Sequence, residues 1–169
     1  TGIVLHQRLP PAPRRPGSVG DPVASEIRIV GSDGRDAAPG DVGELLVRGP
    51  QVFDGYVDDP ALNAAAFADG WFRTGDLGRR DASGDVHLIG RATEIINRGG
   101  EKLAPLQIDA VLRAIPGVSD AAAFGVPHPR LGQEVVAAIV RDPGVPLTEA
   151  EVQSSARAAL GLRRAPRHV

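Results

Sequence analysis

Gly90-Arg91-Ala92-Thr93-Glu94-Ile95-Ile96-Asn97-Arg98-Gly99-Gly100-Glu101-Lys102-Leu103-Ala104-Pro105 divides this 169-residue sequence into two kinds of chain. Upstream of it, short alternating runs are separated by glycine turns. Downstream, apolar residues recur at helical spacing. The stretch itself reads as a short strand at Glu94–Asn97, a tight turn at Arg98–Glu101 and a helix opening at Pro105, where the fixed φ of proline suits the first helical position. The paired glycines Gly99 and Gly100 permit positive φ and the close approach of a ligand to the backbone. Arg91 offers a planar fork of donors suited to ribose and phosphate oxygens, although an isolated arginine also serves simply as a surface charge.

Working back toward the start, Glu26–Val30 and Gly43–Gly49 read as strands, with a turn at Gly31–Gly34. Pro60–Phe67 is the exception, a helix capped by Asp59. Trp71–Arg73 reads as a strand and Thr74–Gly78 as a loop. Arg79–Arg80 pairs with Val86–Ile89 across a connection containing glycine. Residues 7–23 read as a proline- and arginine-rich surface loop. Working forward, Pro105–Ala114 is a helix with Leu106, Ile108, Val111 and Leu112 as its apolar positions, and Pro116-Gly117 ends it. Val118–Val126 and Glu134–Arg141 are strands around a loop at Pro127–Arg130. Thr148 opens a last helix with Glu151 three residues on, a capping-box pattern. The expected class is α+β: a β-rich, barrel-like part over 1–90, then a small α+β domain over 91–169.

Composition excludes several functions. The hydrophobic fraction is 42% and the charged fraction 24%, enough apolar material for a core. A net charge of −2 gives no reason to expect nucleic acid or an anionic membrane as a partner. No run approaches the roughly eighteen apolar residues of a membrane span. No cysteine is present, which excludes disulfides and thiolate metal sites and fits a cytoplasmic protein. Methionine is also absent, and the end at Arg164–Val169 carries no cap, so the sequence reads as part of a longer chain.

Gly70-Trp71-Phe72-Arg73-Thr74-Gly75-Asp76-Leu77-Gly78 carries the other candidate chemistry. A carboxylate flanked by glycines can accept two hydrogen bonds from the vicinal hydroxyls of a ribose. Standing alone, Thr-Gly-Asp is equally a turn element. Gly43-Glu44-Leu45-Leu46-Val47-Arg48-Gly49-Pro50, standing alone, is strand and turn.

Taken in order and at these distances, the three segments resemble the core motifs of the adenylate-forming superfamily: acyl-CoA synthetases, nonribosomal-peptide adenylation domains and luciferases. Ile96–Pro105 and Ala123–Pro129 look most like acyl-CoA ligases of the fatty-acid and oxalate–CoA ligase type. The resemblance implies an acid–thiol ligase that uses ATP, Mg2+ and CoA. A carboxylate becomes an acyl-adenylate, and the CoA thiol then takes the acyl group. It implies that Asp76 binds the ATP ribose, with Thr74 beside it, and that Arg91 contacts the same nucleotide. Asn97 and Lys102 match positions near the phosphates or the thioester-forming site. Gly99 and Gly100 match the turn that approaches the pantetheine tunnel. Thr93 falls at the hinge, where the family usually has Asp or Lys.

Thr1-Gly2 resembles the residues after the family's Thr-Glu element, whose glutamate helps bind magnesium, so no metal ligand is expected here. His6 resembles a position near the acyl pocket, and His128 reads as a surface turn. The family's phosphate loop belongs upstream and its catalytic lysine after Val169. Lys102, the sole lysine, is therefore not that residue, and the chain alone is expected to be inactive. Two rivals remain at this point: a domain loading a carrier protein, and a catalytically incomplete nucleotide-binding fragment.

Overall fold

The computed structural model describes residues 4–7, 10–12 and 14–169. The chain divides into two compact units, residues 1–92 and 93–169. The class is α+β.

In the first unit, β1 (Leu5–His6) pairs with β2 (Asp21–Pro22). Then come β3 (Glu26–Val30), β4 (Gly43–Arg48), α1 (Pro60–Ala66), β5 (Phe67–Ala68), β6 (Trp71–Arg80) and β7 (Val86–Arg91). All of the latter strands form one antiparallel, curled sheet built on β6. β4 lies along one edge of β6; β5 and β7 share the other, β5 against Trp71–Phe72 and β7 against Asp76–Arg80. Ile29, Leu45, Val47 and Val86 form the core, where alternation along β3 and β4 points one apolar face inward. Trp71, only 7% exposed, is covered by two guanidinium groups, Arg28 at 5.4 Å and Arg48 at 4.5 Å from the ring centroid. Asp59 caps α1 by accepting from the Leu62 N–H at 2.9 Å, as its sequence suggests.

The expected loop at Thr74–Gly78 is instead continuous strand. The sheet supplies partners on both sides of it, and pairing prevails over the local preference of two glycines. The glycine signal survives as a bulge. Between the pairs Glu44↔Leu77 and Leu46↔Arg73 the register slips, so Leu45 alone spans Thr74, Gly75 and Asp76. Gly75 takes φ 73°, open to glycine at little cost. The expected strand at Glu94–Asn97 is likewise revised. Ala92–Glu94 is a 3₁₀ turn and the strand begins at Ile96, the first buried side chain in that stretch. Residues 14–23, expected as loop, include β2 and the buried Ser18.

In the second unit, β8 (Ile96–Arg98), β9 (Glu101–Leu103), α2 (Pro105–Arg113), β10 (Val118–His128), β11 (Gly132–Arg141) and α3 (Glu149–Leu160) follow. The sheet order is β10-β11-β8-β9, with every pair antiparallel. Ile96, Leu103, Ile108, Leu112, Val135 and Val152 are central to its core. The Thr148–Glu151 capping box forms on both sides. The apolar stripe of α2 is narrower than its sequence suggests, because Leu106 is 47% exposed while Leu112 is fully buried.

Leu112→Ala is expected to destabilise the protein by about 2–5 kcal/mol through lost burial and a residual cavity. Leu106→Ala, on the same helix, should stay within about 0.5 kcal/mol. Urea unfolding of both variants checks the contrast. Arg98 holds the Glu134 carboxyl below its ordinary range by hydrogen bonding. A depressed carboxylate stabilises the fold above its unfolded value of about 4.3 and loses that contribution as pH falls through the lower, folded value. Glu134→Gln should therefore flatten the acid side of a Tm-versus-pH curve.

Candidate functional site

The bulge in β6 determines where the first group of candidate residues goes. The Thr74 hydroxyl donates to the Leu45 carbonyl at 2.8 Å and accepts from the Asp76 N–H at 2.9 Å. A side chain thus takes over hydrogen bonds that the slipped ladder forgoes. Asp76 and Arg91 are Cα partners across the β6–β7 ladder, fifteen positions apart in sequence. Their side chains meet, with Arg91 Nε 3.1 Å from Asp76 Oδ1. Arg91 is 59% exposed and Asp76 29%. At that exposure an ion pair contributes only about 0.2–1 kcal/mol to stability, so its consequence is geometric. The arginine fixes one carboxylate oxygen and leaves further lone pairs directed at solvent.

Thr74, Asp76 and Arg91 border an open hollow of about 770 Å³. Its other walls include Leu45, Phe53, Tyr56, Phe72 and Leu88. The ring of Phe53 meets Tyr56, Phe67 and Phe72 edge-on at 4.9, 5.6 and 5.2 Å between centroids. The sequence holds four phenylalanines and one tyrosine, and three of those phenylalanines with the tyrosine gather here. Sequence reasoning missed this wall. Phe53-Asp54-Gly55-Tyr56 stands in a turn-rich segment whose aromatic residues are the available signal. The hollow therefore pairs an apolar shelf with a carboxylate and a guanidinium at its rim, suited to a flat polar ligand with hydroxyls.

The second group lies on the β8–β9 hairpin. Arg98 and Glu101 are its last pair, so Gly99-Gly100 is a two-residue turn, with φ of 59° and 86°. Two successive positive φ values define the turn that matches strand twist, and both positions call for glycine. Asn97 and Lys102 are Cα partners and so stand on one face. Both are exposed, and neither side chain has a hydrogen-bond or ion-pair partner among the described residues. Thr93 is exposed within the 3₁₀ turn. His6 is exposed on β1, whereas its neighbours Val4 and Leu5 line the hollow. His128 ends β10, its Nδ1 accepting from the N–H groups of Arg130 and Leu131 at 3.3 and 3.2 Å. Thr1-Gly2 lies outside the described residues.

Comparison with known proteins bears on this arrangement. The AMP-binding enzyme family model matches residues 1–57, and the AMP-binding enzyme C-terminal domain model matches residues 107–169. The chain belongs to the AMP-binding enzyme family. It is 43% identical over 157 residues to an oxalate–CoA ligase of Arabidopsis thaliana, covering 93% of this chain and 30% of that protein. Among solved structures, ATP-bound MatB from Rhodopseudomonas palustris matches with a TM-score of 0.87 at 36% identity, over 94% of this chain and 32% of that one. The o-succinylbenzoate CoA synthetase MenE of Bacillus subtilis, in complex with the acyl-adenylate intermediate OSB-AMP, matches at 0.82 and 32% identity, over 89% and 31%. The chain thus spans about 30% of the length of the curated relatives it matches. No helix of the described residues is long and apolar enough to cross a membrane.

Thr74→Val keeps the shape of the side chain but removes the bridge from Leu45 to Asp76. It is expected to cost about 1–3 kcal/mol, since a half-buried carbonyl and N–H lose their partner. Hydrogen exchange at the Asp76 amide should accelerate in step.

Proposed function

We propose that this chain forms the ribose-holding and thiol-facing parts of an acid–thiol ligase acting on a carboxylic acid, ATP and CoA. In the first half-reaction a substrate carboxylate oxygen attacks the α-phosphorus of ATP and pyrophosphate leaves with the bonding electrons. In the second, the CoA sulfur attacks the carbonyl carbon, AMP leaves, and the thiol proton passes to solvent. The observation that carries this reading is the Asp76–Arg91 ladder pair at the rim of the aromatic hollow. Named CoA ligases among the relatives support the same class.

Asp76 accepts hydrogen bonds from the ribose diol through the lone pairs that Arg91 does not use. Arg91 keeps the carboxylate aimed and extends donors toward the nucleotide. Neither residue makes or breaks a bond. They fix the α-phosphate by fixing the sugar, and alignment of reacting atoms is itself a large part of such catalysis. Asn97 and Lys102 offer an uncommitted amide and ammonium for the second step, beside a glycine turn that a thiol arm can approach closely. Thr93 is kept as the hinge position, a reading supported by the unit boundary immediately before it. Among the described residues no three His, Cys, Asp or Glu side chains come together in a group that could hold a metal.

In the whole protein, Asp76→Ala is expected to raise the KM for ATP by about ten- to a hundredfold, the range for hydrogen bonds to a charged group. Pyrophosphate exchange measured against ATP concentration is the assay, and unaltered ATP kinetics would refute the role.

A further inference from the structure

The β8–β9 hairpin is too short to hold its own shape. It has three residues in each strand, and an isolated hairpin is marginal in water even when longer. Ile96 and Leu103 anchor its base in the core, at 1% and 4% exposure. Its tip carries the exposed Asn97, Lys102 and the two glycines. The ladder from β8 to β11 contains a single register pair, Gly132↔Arg98. Backbone pairing therefore does not fix the tip.

One backbone bond outside that ladder, from Leu131, and side chains from the start of β11 do so instead. The Gly99 N–H donates to the Leu131 carbonyl at 2.8 Å. The Asn97 N–H donates to Gln133 Oε1 at 2.6 Å. Arg98 meets Glu134 with both ends of its fork, Nε to Oε1 at 2.5 Å and Nη2 to Oε2 at 3.3 Å. These side chains are only 21% and 12% exposed, so this pair is sheltered, unlike a solvated surface contact. On the other strand of the tip, Glu101 pairs with Arg164 at 3.1 Å. Gln133 also has room made for it. A Cβ at Gly125 would lie 2.9 Å from its Cδ and Nε2.

Strand alternation puts the clamped pair, Arg98 and Glu101, on the face opposite Asn97 and Lys102. One face of the tip is tied down and the other is left with uncommitted polar groups. We propose that Glu134, acting through Arg98, and Gln133, acting on the Asn97 backbone, are positioning residues that hold Asn97 and Lys102 in register for the thiol step. This rests on the acid–thiol ligase reading. It adds two residues, 36 positions away in sequence from the groups they touch, to the second half-reaction.

Three variants of the whole protein test it: Glu134→Gln, Glu134→Asp and Gly125→Ala. The last displaces the flexible end of Gln133 and presses on the Ile96 side chain at 3.2 Å, while adding no atom at the Arg98–Glu134 pair. We expect Glu134→Gln to lower kcat/KM for CoA by about ten- to a hundredfold, the scale of a small misplacement of reacting groups. Pyrophosphate exchange, which reads the first half-reaction, should fall by a much smaller factor. Glu134→Asp should recover part of the loss, and Gly125→Ala should show the same bias toward the CoA step. Amide exchange at Asn97 and Gly99 should quicken in Glu134→Gln and Gly125→Ala. Equal losses in both half-reactions, or unchanged exchange at those two amides, would overturn the proposal. Wild-type protein that forms no thioester with any acid tried would overturn the ligase reading, while the amide exchange still decides the clamp.

Discussion

A strand paired along both edges cannot slide, and β6 is such a strand. β4 fixes it from one side, and β5 and β7 from the other. A register shift of one residue would turn every β6 side chain to the opposite face and bring the buried Trp71 out of its place. The bulge at Thr74–Asp76 is therefore held from outside, and with it the direction of the Asp76 carboxylate. Arg91 reaches Asp76 only because β7 is locked in the register that makes them partners. The ion pair results from that constraint and contributes little to stability.

The two units solve a similar problem in a similar way. In each, glycines with positive φ stand where the chain leaves regular strand geometry, Gly75 in the β6 bulge and Gly99-Gly100 in the β8–β9 turn. In each, a side chain takes up what the backbone loses. Thr74 bridges the Leu45 carbonyl and the Asp76 N–H; Gln133 accepts the Asn97 N–H. A buried or half-buried backbone group left without a partner is costly, so such substitutions are the condition for keeping an irregular strand ordered. The side chains of Lys102 and Asn97 carry none of this duty, which leaves an ammonium and an amide unspent.

Much of this was legible in the sequence, for reasons that differ by residue. Gly99-Gly100 declared its turn because two consecutive positive φ values admit little else. The Asp59, Pro60 and Thr148 signals are local chemistry and held as read. Asp76 and Arg91 stood out by motif, but their contact is a product of strand register, which sequence spacing alone does not state. Thr74–Gly78 was misread as a loop because its partners, Gly43–Leu46 and Leu88–Arg91, are supplied from elsewhere in the chain. The Arg98–Glu134 clamp was illegible for the same reason, since it joins residues 36 positions apart, and of the aromatic wall only Phe53 and Tyr56 are close neighbours in sequence.

If Asp76 accepts the hydroxyls of a nucleotide sugar, an ATP that lacks them must be used less well. The most direct measurement compares ATP with 2′,3′-dideoxy-ATP in pyrophosphate exchange, for the wild-type whole protein and for Asp76→Ala. A site built to bond a hydroxyl penalises the analogue that lacks it, here by about tenfold or more in kcat/KM. The expected result is a large penalty in the wild type that all but disappears in the variant. An equal penalty in both proteins would contradict it.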